Sequence, residues 1–209
     1  MSSSASETLC SNLSKGMHAA AQPLTVLRAS FDSIRTDRMS AGELRELVAS
    51  STMEVERVCK LFSYLQQLVS AASVKPELSK TPIQPLLARV TDGVELLFAK
   101  DGMHLRSIAS DPCPQVLINP ARTLQALSSI LLVAHALSQP QDTIELIASS
   151  SSSNALRVVV QNVHLYVDAL NAEQSLNMAL AEANIRSQQA SLSWSLQPFS
   201  VQIELKCAA

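Results

Sequence analysis

Residues 15 to 27, KGMHAAAQPLTVL, place His18 four positions ahead of Gln22 and the run Pro23-Leu24-Thr25. An imidazole nitrogen is a competent nucleophile toward phosphorus, and the phosphoramidate it forms is a high-energy link that can pass the group on. Gln22, one helical turn further along, reads first as a solvated helix glutamine; its amide is also able to orient a water or a partner group. The other histidines, His104, His135 and His164, have no second ligand spaced to join them and read as polar surface or satisfied core residues. No metal site is expected, and no Gly-x-Ser-x-Gly elbow is present to make a serine nucleophile.

A nucleophilic histidine needs a rigid element to present it. Leu9, Leu13, Met17, Ala20, Leu24, Leu27, Phe31 and Ile34 recur in steps of three and four, the stripe of a long amphipathic helix. His18 follows Met17, and the roughly 100° advance per residue swings it off the stripe toward water. Pro23, one turn on, removes a helix hydrogen bond and predicts a kink beside it. After the polar break RTDRMSAG, a second stripe runs through Leu44, Val48, Ser51, Val55, Val58, Phe62, Leu65, Val69 and Ala72, with Ser40 and Glu43 spaced as a capping box at its start. Two long antiparallel helices cannot bury both stripes against each other alone. Pairing two hairpins as a four-helix bundle solves this and predicts a homodimer; packing on the chain's own C-terminal domain is the alternative.

The linker VKPELSKTP closes the hairpin, so the domains read as 1–74, a hairpin for dimerisation, 75–82, a linker, and 83–209. The last begins with a helix over 83–100, followed by strands at MHLRSIA and PQVLIN and a helix at PARTLQALSSILLVAHALSQ. Strands TIELIASS and NALRVVVQN, a helix at AEQSLNMALAEANIRSQQ, and strands SLSWSL and SVQIEL complete it. This interleaving predicts an α+β chain with helices layered on one face of a mixed sheet. The serine run 149–153 reads as a solvated hairpin loop.

Composition narrows the classes. The chain has 209 residues, 47% of them hydrophobic, enough for one large or two small domains. A net charge of −2 and 3% aromatic residues provide neither a field for a phosphate backbone nor platforms for bases, which disfavours nucleic acid. No basic start with an apolar run and no span of about 18 apolar residues is seen, so a cytoplasmic, non-membrane protein is expected. Cys10, Cys59, Cys113 and Cys207 show no C-x-x-C spacing and read as reduced, mostly buried thiols.

This order of parts resembles the catalytic core of bacterial sensor histidine kinases, a dimerising hairpin bearing a phospho-accepting histidine followed by an ATP-binding α/β sandwich. The resemblance spans about Leu9 to Leu205. The family's His, acid, two variable positions, Asn or Thr, Pro, Leu and Thr stand here as His18, Ala19, Ala20, Ala21, Gln22, Pro23, Leu24 and Thr25. The acid, the base implied for autophosphorylation, is missing. Of the nucleotide signatures, the two Mg²⁺-motif asparagines fall on Ser129 and Val133, and a valine offers magnesium no oxygen. The acid of Asp-x-Gly-x-Gly is replaced at Asn162, with His164 two residues on. Gly-x-Gly falls on Ser175 and Asn177, where glycines would let the backbone close on phosphates. His-Gly-Gly falls on Gln188, Gln189 and Ala190. The four glycines, Gly16, Gly42, Gly93 and Gly102, all lie before the midpoint.

The resemblance is closest in kind to bacterial histidine phosphotransferases built like a degenerate kinase dimer. It implies a histidine-containing phosphotransfer protein of a two-component phosphorelay, accepting and donating phosphate through His18 with response-regulator receiver aspartates. It also implies no ATP and no cofactor of its own, with Mg²⁺ supplied by the partner receiver domain. The alternative is a non-catalytic, pseudokinase-like docking protein that sequesters a response regulator or kinase, in which His18 is a relic. An ATP-dependent kinase ranks last.

Overall fold

The structure, a computed structural model, describes residues 2–36, 39–110, 113–152 and 154–208. Part of the expected interhelical break, residues 37 and 38, and Ser153 of the serine run lie outside the described residues; the rest of that run, expected as a hairpin loop, instead ends a paired strand, Ser149 opposite Arg157 and Ser150 opposite Leu156. The chain falls into two compact units that divide between Val69 and Ser70.

The first unit is helical. Helix α1 spans Ser2–Thr36 and starts well before the first stripe residue; α2 spans Ala41–Ser73. The anticipated capping box starts α2. Ser40 N donates to Glu43 Oε2 at 2.8 Å and Glu43 N to Ser40 Oγ at 3.3 Å, and these bonds hold the Glu43 carboxyl below its ordinary pKa. The single expected stripe resolves into two seams. Ala20, Leu27, Leu61 and Leu65 are buried, whereas Met17, Leu24 and Phe31 on α1, and Val48, Val55, Phe62 and Val69 on α2, stand uncovered at seven-residue intervals, Met17 at 65% and Phe31 at 59% exposure.

The second unit is a layer of helices on a sheet. Its elements are β1 (Ser79–Pro82), α3 (Ile83–Lys100), β2 (His104–Ala109), β3 (Gln115–Ile118), α4 (Pro120–Leu137), β4 (Thr143–Ser152), β5 (Ala155–Asn162), α5 (Ala172–Arg186), β6 (Ser191–Leu196) and β7 (Phe199–Lys206). The main sheet runs β2-β4-β5-β7-β6, with β2 parallel to β4 and every other pair antiparallel. Alternation does the positioning: Leu146, Val160 and Val201 align across three strands on the helix-covered face, as do Ala148, Val158 and Ile203, and all are buried. Ile83, Leu87, Val90 and Phe98 of α3, Leu127, Ile130 and Leu131 of α4, and Ala181 and Ile185 of α5 complete one apolar core.

Part of the expected linker is ordered structure. Residues 79–82, SKTP, pair antiparallel with β3 as a separate two-stranded sheet, Lys80 opposite Leu117 and Thr81 opposite Val116. Four polar and proline residues show no alternation, so only the partner strand reveals them as a strand. Helix α5 also ends sooner than its polar continuation suggests. Gln189 adopts φ of 60°, a left-handed conformation that terminates a helix and that favours glycine.

Candidate functional site

Helix α1 presents His18 to solvent while the backbone beside it is closely packed. Gly16, Ala19, Ala20 and Pro23 are buried; His18, Ala21, Gln22 and Thr25 are exposed. The four-residue spacing puts His18 and Gln22 on one face, and because helical side chains lean toward the N-terminus, Gln22 leans toward the histidine. The helix runs unbroken through Pro23, so the proline acts locally: it cannot donate to the carbonyl of Ala19. One turn on, Thr25 Oγ1 donates back to the Ala21 carbonyl at 2.9 Å. An accessible imidazole on a helix surface can attack a phosphoryl group brought by another molecule. Sequence motifs did not single out Lys15, which is exposed one turn before His18; the signal lay in charge pattern, since residues 8–31 contain no carboxylate.

The remaining candidates are spread over the second unit. Ser129 and Val133 are buried in α4, Val133 within the apolar core. Asn162 ends β5 fully buried with its amide consumed: Nδ2 donates to Ser138 Oγ at 3.2 Å and to Asp142 Oδ2 at 3.1 Å, while Oδ1 accepts from His164 N at 3.1 Å. Residues 175 and 177 form no loop. They lie inside α5, whose first turn is closed by a reciprocal capping box between Asn171 and Gln174, and Asn177 Nδ2 donates to the Glu173 carbonyl at 3.1 Å. Gln188 is buried as a junction: its Oε1 accepts from Asn119 N at 2.6 Å and Thr123 Oγ1 at 3.2 Å, and its Nε2 donates to the Asn184 carbonyl at 2.9 Å.

The other histidines stay apart. His135 Nε2 lies 3.0 Å from Asp101 Oδ2, an approach without hydrogen-bond alignment, and its ring meets Phe98 edge-on with centroids 5.0 Å apart. His104 opens β2, and His164 follows β5. Among the described residues no three His, Cys, Asp or Glu side chains gather as a metal site. All four cysteines are free, but the expectation of mostly buried thiols is corrected: Cys10 and Cys59 are exposed on the hairpin, each one position off an apolar stripe, and Cys113 and Cys207 are half-buried. Among the described residues no helix is long and apolar enough to cross a membrane.

No family model matches the sequence, and no curated protein matches it. Solved structures do. The Acinetobacter baumannii histidine kinase AdeS matches with a TM-score of 0.69 at 14% identity, over 91% of this chain and 97% of that one. The fold is that of a histidine kinase core. A histidine kinase from Burkholderia phymatum STM815 matches with a TM-score of 0.52 at 16% identity, over 93% of this chain and 98% of its own. The catalytic domain of histidine kinase ThkA matches 63% of this chain and 95% of its own, at 12% identity with a TM-score of 0.52. The fold class is therefore α+β, a helical hairpin followed by the mixed-sheet sandwich of the histidine kinase ATP-binding domain.

Proposed function

We propose that this chain is a histidine-containing phosphotransfer protein of a two-component phosphorelay, accepting and donating phosphate through His18 without binding ATP. The observation that carries the reading is His18 itself, exposed on α1 directly before the buried Ala19 and Ala20 and one turn before Gln22-Pro23-Leu24-Thr25. The ring nitrogen that carries no hydrogen attacks the phosphorus of a receiver's aspartyl phosphate. The P–O bond to the aspartate breaks, its carboxylate is restored, and a P–N bond to His18 forms. Donation to a second receiver reverses these steps, with Mg²⁺ held by the receiver in both directions. Gln22 orients the partner or a water beside the phosphoryl group.

Three observations support the remaining parts of the reading. The apolar seam through Met17, Leu24, Phe31, Val48, Val55 and Phe62 fits a second hairpin in a four-helix bundle, hence a homodimer. Ala19 stands where a kinase keeps its base. At the positions the resemblance pairs with nucleotide motifs, Asn162 spends its buried amide on Ser138 and Asp142, Val133 lies in the apolar core, and residues 175 and 177 lie within a helix instead of a loop. In this reading residues 1–74 are the phosphoacceptor hairpin, 75–82 a connection that includes β1, and 83–209 a degenerate ATPase-like sandwich, all working in the cytoplasm of a bacterium.

The test is transfer from prephosphorylated receiver domains to the purified chain. Acid-labile, base-stable label on the wild type and none on His18→Ala supports the relay. A receiver that binds both forms equally and labels neither favours the docking protein instead.

A further inference from the structure

We propose that Lys15 holds the transferring phosphoryl group at His18, an assignment that deepens the relay reading and rests on it. Lys15 and His18 are both exposed and three residues apart on α1, which sets their Cβ atoms about 5–6 Å apart on one helix face. The His18 side chain leans toward the N-terminus of its helix and so over the turn that carries Ser14 and Lys15. Gln22 leans in from the other side. A phosphoryl group on the ring thus sits between an amide and an ammonium.

Charge pattern makes Lys15 available for that work. The positions one turn away from it, Ser11, Asn12, His18 and Ala19, include no acid, and between residues 8 and 31 the only charged side chains are Lys15 and Arg28. No ion pair or hydrogen bond engages the Lys15 side chain among the described residues. Had the family's acid stood at position 19, it would lie four residues after Lys15 and compete for it; Ala19 leaves the ammonium unpaired. An unpaired lysine on a carboxylate-free strip is suited to a dianionic phosphoryl group, toward which its three donors can turn freely.

The experiment needs no receiver, so it separates this assignment from the relay as a whole. Phosphoramidate is the donor: a ring nitrogen of His18 attacks phosphorus, the P–N bond of phosphoramidate breaks, and ammonia leaves and takes up the proton the ring releases. The rate of phosphoryl gain is read by intact mass, after subtraction of the rate in His18→Ala. Lys15→Ala is expected to slow labelling of His18 roughly two- to fivefold at low ionic strength, the scale of one exposed charge interaction. Lys15→Arg is expected to restore it, and the difference should shrink as salt rises toward about 1 M. A merely structural lysine shows no such salt dependence. Equal rates for wild type and Lys15→Ala at low salt, an arginine that fails as alanine does, or a wild type that takes no phosphoryl group on His18 each overturn the proposal. Normal Lys15-dependent labelling with no transfer from any receiver leaves Lys15 assigned and sinks the relay.

Discussion

Asn162 Nδ2 donates to Asp142 Oδ2 at 3.1 Å across 20 residues of chain, tying the end of β5 to the turn before β4. The same amide reaches Ser138, and its oxygen caps the backbone at His164, so one buried side chain ties together two turns at one end of the sheet. Replacing it with aspartate sets two carboxylates against each other in a buried place. Asn162→Asp is expected to lose about 2–4 kcal/mol of stability. Denaturant unfolding with and without Mg-ATP checks this, and the nucleotide should shift neither midpoint.

Arg122 anchors the segment that precedes β1. Its Nη1 donates to the Ala71 carbonyl at 3.1 Å and to Ser187 Oγ at 2.8 Å, and its Nη2 to the Val74 carbonyl at 2.7 Å, meeting the unsatisfied carbonyls at the end of α2 with a cation. Asn119 Nδ2 adds a bond to the Glu77 carbonyl at 3.0 Å. Arg122→Ala should cost about 1.5–3 kcal/mol and speed amide exchange over residues 74–79. Hydrogen exchange read by mass spectrometry tests both its place and its size.

Gln189 bears the strain of a left-handed backbone at φ of 60°. Gln189→Gly should raise stability by about 0.5–1 kcal/mol, because relief of the Cβ clash outweighs the added freedom of the unfolded chain. A higher urea midpoint with unchanged slope is the expected result.

The uncovered seam predicts association. Phe31→Glu puts a carboxylate into an apolar interface and should weaken dimerisation by roughly 2–4 kcal/mol, about thirtyfold or more. Light scattering after gel filtration should find the wild type at twice the chain mass and the variant at one.

Much of this architecture was legible because periodicity is local. The steps of three and four from Leu9 to Ile34, and the alternation in NALRVVVQN, each declare an element without reference to the rest of the chain. What stayed hidden depends on partners far away in sequence. SKTP becomes a strand only against Gln115–Ile118, and Gln188 is a buried junction only because Asn119 and Thr123 come to it. At the site, the exposure of His18 followed from its place beside Met17. The need for a second neighbour followed from the stripes too, but which residues each neighbour covers did not: Leu27 is buried while Phe31, on the same stripe, is uncovered.

The most direct test of the account is to map the phosphoryl group after incubation with a prephosphorylated receiver. Trypsin releases residues 16–28, GMHAAAQPLTVLR, in which His18 is the only histidine. The account predicts the mass of one phosphoryl group on this peptide, localised to His18, stable in base and lost in acid. Phosphate on Thr25, on another histidine, or nowhere in the chain while the receiver keeps its label would contradict it.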